Sequence, residues 1–364
     1  MLLTHVVALA LFISVLAAST YALLLRRSGI TARADFPSHT AILAATATAT
    51  VALFLCIRSL NFGVDTVAYV DLFDHYCNGG SLADVESSFR AATLLLNGLM
   101  LGSCTKEFLP ATWIAALVLP VFWFAATTRL RLYYFAAFLL SIIGIELATN
   151  ALRQGLSVGL MVIGVSLAHT ASPSKRWLAL PLAGLAALFH TSAVLFIAAY
   201  LLARLNWLAF LLVTGAVTWV TVTSFDAQLA LPLASDFLYE IQKYAAHEGD
   251  ELWIRVLAFA CVLAALAAPV FVRGEHTISQ VMAQPFYAIA FRLSVLCVPF
   301  LALPYFGYRF IYGVYPMILF LSLMPASGEP KKLDQQALWL CLMNVAVLFA
   351  WSAGSSYMRE VPFL

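Results

Sequence analysis

The sequence predicts an all-α, polytopic membrane protein, with residues 1–364 forming a single transmembrane domain. Composition is the first reason. Of 364 residues, 63% are hydrophobic and 10% charged, and the mean hydropathy is +0.93. Soluble domains carry roughly 25% charge, and a water-soluble fold has no way to bury so much apolar side chain. The second reason is run length. Stretches such as VVALALFISVLAASTYALLL and WLALPLAGLAALFHTSAVLFIAAYLL reach the ~20 residues that a helix needs to cross a bilayer. The third is pattern: the runs lack the strict alternation of a membrane β-barrel. Together these predict about 10–12 transmembrane helices.

In chain order the spans are expected near 3–25, 40–58, 108–127, 133–149, 152–170, 177–203, 207–224, 252–272, 281–303, 309–324 and 335–353. No basic stretch precedes the first run, and Arg26 and Arg27 follow it. That predicts a retained first span with its N-terminus outside, not a cleaved leader. The short links then set the sides. Arg26, Arg27 and Arg33, Arg129 and Arg131, Lys175 and Arg176, Arg204, Arg273, and Lys331 and Lys332 cluster in links that face the cytoplasm by the positive-inside rule. Residues 59–107 and 225–251 show the reverse balance, with acids outnumbering bases, and are expected to be extracytoplasmic loops.

The segment 177–203 breaks simple alternation. Lys175, Arg176 and Arg204 all read as cytoplasmic, yet one apolar run separates them. A single crossing would reverse every later link. A hairpin or re-entrant segment turning near His190, Thr191 and Ser192 restores the bias and is preferred. Backbone that breaks at membrane depth must be buried or line a wet cavity. Segment 82–102, interrupted by Glu86, Arg90 and Asn97, is a poor span and is expected to lie as an amphipathic helix on the outer interface.

The six cysteines lack metal-type spacing. Cys56, Cys261, Cys297 and Cys341 fall in or at spans and read as packing residues. Cys77 and Cys104 share an outer polar segment, where an oxidising compartment permits a disulfide. No cofactor or metal is expected. No nucleic acid partner is expected either.

Five arginines lie at or within spans: Arg58, Arg153, Arg255, Arg292 and Arg309. An arginine at the centre of a membrane helix costs at least ~2.5–3.5 kcal/mol, so each needs a reason. Snorkelling to headgroups suffices for some of them. Arg153 is different in its neighbours. Glu146, Asn150, Arg153, Gln154 and Ser157 fall on one helical face, and they still cluster if the chain turns near Asn150. One reading is mutual neutralisation of Glu146 and Arg153. The other is a planar donor fork at the outer mouth of a cavity, suited to phosphate oxygens. His190 is either a satisfied core histidine or a catalytic or substrate-binding group at the turn. Asp65 and Tyr69 head an acidic-aromatic stretch, NFGVDTVAYVDLFDHY, which is either an ordinary solvated loop or a sugar-binding surface.

Several segments, in order, resemble a known family. They are FGVDTVAYVDLF, with Asp65, Tyr69 and Phe73; VESSFRAATLLLNGL, with Glu86, Phe89 and Asn97; NALRQGLSVGL, with Arg153, Gln154 and Ser157; and LFHTSAV, with His190 and Ser192. The chain resembles the EpsG-like branch of the Wzy-type polysaccharide polymerases. The likeness covers residues 60–203, and Tyr308-Arg309 extends it. Ser87-Ser88 replace the small or glycine pair usual after the glutamate.

The resemblance implies a metal-independent polymerase of the bacterial inner membrane with its active site on the periplasmic face. It would join oligosaccharide repeat units carried on undecaprenyl pyrophosphate and release that lipid. A lipid-linked oligosaccharide donor and a lipid-linked acceptor would be its partners, beside a chain-length regulator and a flippase of the same pathway. Arg153, Arg309 and Arg292 are then the expected pyrophosphate ligands, because charge grows on the leaving group in the transition state. Gln154, Asn150, Tyr69 and Tyr308 would complete substrate binding. His190, Asp65 and Glu86 are the expected catalytic residues, as candidates to accept or orient the acceptor hydroxyl proton. A lipid-linked glycan ligase, a polyprenyl-linked glycan flippase or transporter and an accessory subunit remain as alternatives.

Overall fold

The computed structural model describes residues 44, 46–49, 51–52, 64–82, 87–99, 112–126, 130–149, 151–227, 252–273, 283–301, 306–324 and 330–354. Helix is the regular structure throughout these residues. The first elements are α1 (Val64–Cys77) and α2 (Ser87–Leu99), followed by a π-helical stretch, Ile114–Val118, that runs into α3 (Leu119–Phe124). Next come α4 (Arg131–Leu139), α5 (Ile142–Thr149), α6 (Leu152–Thr170) and the short α7 (Pro173–Arg176). After them stand α8 (Ala179–Phe189), α9 (Ser192–Ala203) and α10 (Trp207–Ala227). The last are α11 (Leu252–Arg273), α12 (Pro285–Phe300), α13 (Phe306–Leu323) and α14 (Pro330–Gly354). The expected spans near 3–25 and most of 40–58 lie outside the described residues.

Three of these helices, Leu152–Thr170, Leu252–Phe271 and Lys332–Trp351, are long and apolar enough to cross a bilayer, and shorter apolar helices such as Pro285–Phe300 and Gly307–Leu323 pack among them. This is an all-α polytopic membrane fold. α13 is its centre and packs against α11, α12 and α6. Beyond its first turn, which carries Arg309, it is apolar on nearly every side, and residues such as Tyr315, Ile318 and Phe320 are wholly buried. On α8–α10, by contrast, Leu180, Leu201, Leu208 and Trp219 are exposed, which suits a face turned to lipid.

The segment expected as one span at 133–149 is broken. α4 and α5 meet at 86° across Leu140 and Ser141. Ser141 caps the second helix: its Oγ accepts the Gly144 N–H at 2.9 Å and donates to the Phe138 carbonyl at 2.6 Å. The Ala137 carbonyl, also near the break, takes Asn344 Nδ2 at 2.7 Å. Backbone groups freed by a break inside a membrane protein need such partners. The apolar run hid the break because Ser141 and Gly144 are too few to lower its hydropathy.

The hairpin at His190 is present. Ser157 on α6 donates to the Ala186 carbonyl of α8 at 2.9 Å, and Gly164 on α6 abuts Ala179. Those pairs make α6 and α8 antiparallel. The helix then breaks, with His190 in an extended conformation (φ −157°, ψ 123°). Beyond the break, Tyr200 of α9 reaches back to His169 near the far end of α6, Oη to Nε2, at 2.7 Å. Arg204 stands over the Tyr200 ring at 6.0 Å, and the charges of Arg204 and Arg176 both bear on His169. Arg176 and Arg204 therefore share one end of the bundle, and His190 lies at the other.

α2 falls within the segment 82–102, expected to be an amphipathic helix. Phe89, Thr93 and Leu96 are buried, while Arg90, Leu94 and Leu95 on the opposite face are exposed. An exposed pair of leucines beside an arginine suits a headgroup boundary. At the end of α1, Cys77 is disulfide-bonded. Its partner lies outside the described residues, as does Cys104.

Candidate functional site

Arg153 stands on the first turn of α6, just beyond a sharp turn out of α5. The turn is tight enough that a Cβ on Gly155 would lie 2.1 Å from the Leu147 carbonyl oxygen. Only a glycine lets α6 start so close to α5. The guanidinium that results is half-buried and faces aromatic rings: its carbon lies 5.8 Å from the Phe89 centroid and 6.0 Å from the Tyr69 centroid. Its Nε donates to Tyr69 Oη at 3.4 Å, a long contact. Cation–π contacts of this kind are worth about 0.5–1 kcal/mol where exposed and ~2 when desolvated.

The rings themselves are braced. Phe89 stacks on the fully buried Trp113 at 4.6 Å and lies 5.7 Å from Tyr69 and 6.1 Å from Phe73. Trp113 Nε1 donates to Thr93 Oγ1 at 3.3 Å, back to the helix that carries Phe89. The Tyr69, Phe73 and Phe89 positions of the sequence segments thus converge to shelve one arginine. No sequence pattern marks Trp113 for this role. Its only signal was a tryptophan at the start of an apolar run, which is common at any membrane boundary.

His190 lies level with Arg153. Arg153 is four residues before Ser157, and His190 is four residues after Ala186, the partner of Ser157 on the antiparallel helix. Ser88 of α2 donates to the Leu188 carbonyl at the end of α8, which ties the aromatic shelf to the break. This is the use of one residue of the Ser87-Ser88 pair. The imidazole is held by Ser192: the Ser192 N–H donates to Nδ1 at 3.2 Å, and Ser192 Oγ lies 2.6 Å from the same nitrogen.

Arg309 reaches the same end through its backbone. Gln154, 3% exposed, donates from Nε2 to the Arg309 carbonyl at 2.9 Å. Arg309 and Tyr308 stand near the start of α13, both half-buried, where Phe310 stacks on Phe300 at 3.8 Å. Arg255 is buried and donates to the Leu301 carbonyl at the end of α12, beside Gly307. Gln154 thus spends one of its two amide N–H donors on the Arg309 carbonyl, which ties the first turn of α6 to the start of α13.

Arg292 departs from expectation more fully. Its Nη1 donates to the Ala203 carbonyl at 3.0 Å and the Leu205 carbonyl at 2.6 Å, and its guanidinium lies 4.7 Å from the Trp207 centroid. It closes the C-terminal end of α9, about 18 Å along that helix from His190 at 1.5 Å per residue. Freed carbonyls and a helix C-terminus attract a cation there, and the structure does not bring Arg292 to the Arg153 group. Asp65 stands on the first turn of α1, and its side chain lies outside the described structure. Glu86 and Asn150 lie outside the described residues. Among the described residues, no group of three or more His, Cys, Asp or Glu is placed to hold a metal ion.

The fold and this site define a helical membrane protein with an arginine, a histidine and a second arginine's backbone gathered at one end of the bundle. The EpsG family model matches residues 41–362, nearly the whole length, and the chain belongs to the EpsG family. Neither a curated protein nor a solved structure matches it. Family membership suggests a polysaccharide polymerase, a glycosyltransferase-like protein of the membrane that acts on lipid-linked sugars.

Proposed function

We propose that the chain is a Wzy-type polymerase that joins undecaprenyl-pyrophosphate-linked oligosaccharide repeat units on the periplasmic face of the bacterial inner membrane. The observation that supports it most is the shelved Arg153 guanidinium level with His190. Rings on Tyr69 and Phe89 fix the guanidinium in place beside the helix break, in a position to meet an anionic ligand. The donor's pyrophosphate is that ligand in this reading, and Arg309 is its second ligand. As the anomeric bond breaks, negative charge grows on the leaving phosphate, and a pre-placed guanidinium stabilises it without reorganisation. In this reading Arg153 and Arg309 supply the charge neutralisation, and the reaction uses no metal. His190, Asp65 and Glu86 serve the acceptor and leaving-group side. A chain-length regulator and a flippase would be neighbours in the same assembly.

Purified protein supplied with a lipid-linked oligosaccharide tests this. A ladder of longer lipid-linked glycans is expected, with undecaprenyl pyrophosphate released. Transport of the lipid across vesicles with no ladder would replace the polymerase with a flippase. Transfer to a different acceptor in a single step would replace it with a ligase.

A further inference from the structure

The sequence pattern makes His190 a candidate base for the acceptor hydroxyl, and its surroundings argue for another task. The Ser192 N–H points at Nδ1 from 3.2 Å. A backbone N–H cannot turn around to become an acceptor. Ser192 Oγ lies 2.6 Å from the same nitrogen and, as a hydroxyl, suits an acceptor there equally well. A proton on Nδ1 would face the fixed N–H, so neutral His190 carries its proton on Nε2. A base acting through Nε2 needs that nitrogen's lone pair. It must start as the Nδ1–H tautomer and become an imidazolium on taking the proton, and both states place a proton against the Ser192 N–H.

Resting on the polymerase reading above, we propose that Ser192 fixes His190 as an Nε2–H hydrogen-bond donor to a phosphate oxygen of the lipid pyrophosphate, beside Arg153. In the step itself, the acceptor hydroxyl oxygen bonds to the anomeric carbon. The anomeric C–O bond to the pyrophosphate breaks and its electron pair stays on the phosphate oxygen. The hydroxyl proton goes to one of the proposed carboxylates, Asp65 or Glu86. His190 keeps its proton and stabilises the departing charge. Ser192 is a positioning residue and never touches the substrate.

Glutamine and asparagine separate the two roles, because a glutamine amide nitrogen falls near the place of Nε2 and an asparagine amide nitrogen near that of Nδ1. Neither is a base. His190→Gln is expected to keep ladder formation within about 10-fold of the unmodified protein, and His190→Ala and His190→Asn to lose about 10–100-fold, the worth of one hydrogen bond to a charged group. Binding of undecaprenyl pyrophosphate, measured without any acceptor, is expected to follow the same order. His190→Gln as inactive as His190→Ala, while the unmodified protein still forms ladders, would overturn the donor role. A second measurement covers the case in which the glutamine variant fails to fold. Nitrogen NMR of histidine-labelled unmodified protein should show His190 protonated at Nε2 and bare at Nδ1. The opposite tautomer, or an imidazolium at neutral pH, would also overturn it. An unmodified protein that neither forms ladders nor binds the lipid pyrophosphate would instead sink the polymerase reading itself.

Discussion

Replacing Arg153 by lysine is the substitution that most directly tests the phosphate site. Lysine keeps the charge but lacks the planar fork, the Nε donor now 3.4 Å from Tyr69 Oη, and the flat face set 5.8–6.0 Å from the Phe89 and Tyr69 centroids. If one charge-assisted bond to a phosphate oxygen is lost, the deficit is ~1.5–3 kcal/mol. At 1.4 kcal/mol per tenfold, that is about a 10–100-fold drop in polymerisation. The loosened cation–π contact adds about 0.5–1 kcal/mol and falls on stability as well as on rate. Arg153→Ala should abolish polymer while the protein still inserts and accumulates. The assay is ladder formation from lipid-linked oligosaccharide, normalised to protein recovered from the membrane. A purely structural role predicts a different pattern. Arg153→Ala would then lower protein level, and adding Glu146→Ala would restore both level and activity by removing the partner charge. A double variant that polymerises normally would refute the phosphate role.

Gly155→Ala places a methyl group 2.1 Å from the Leu147 carbonyl oxygen, which is backbone and cannot swing aside. It should destabilise the detergent-solubilised protein by about 1–3 kcal/mol or more, read as a fall in thermal midpoint, and disturb Arg153 with it. Normal stability and activity would show that the α5–α6 turn opens freely. Gln154→Leu leaves the Arg309 carbonyl without its amide partner. It should cost about 1–3 kcal/mol of stability and lower ladder yield, whereas unchanged yield would deny Gln154 its positioning role. Cysteines placed at positions 175 and 204 should be labelled from the same side of intact vesicles, because Arg176 and Arg204 both bear on His169. Labelling from opposite sides would dissolve the hairpin. Cys77 should resist alkylation in denatured, unreduced protein and react after reduction, and reaction without reductant would remove its disulfide.

The sequence by itself determined the membrane fold, because a chain that is 63% hydrophobic and 10% charged leaves helices in lipid as its only economical solution. Charge in the links was enough to demand a turn at His190, since like-signed ends of one apolar run cannot lie on opposite sides without inverting every later link. Arg153, Gln154 and His190 stood out because a charged or strongly polar residue in an apolar run needs a cause. What those residues touch, only tertiary structure decided. Hydropathy averages over a window, so it passed over the α4–α5 break, which Ser141 and an Asn344 far along the chain hold open. Hydropathy alone does not separate Arg153 from Arg292, and the polar neighbours of Arg153 do not say what either guanidinium touches. One rests on rings from α1 and α2, and the other is consumed by the end of α9. The difference lies in which helix end each can reach, a long-range contact that no local pattern encodes. The same holds for His190. Its identity is written in the chain, but the nitrogen that meets a backbone N–H is set by Ser192 on the first turn of α9, at 3.2 Å.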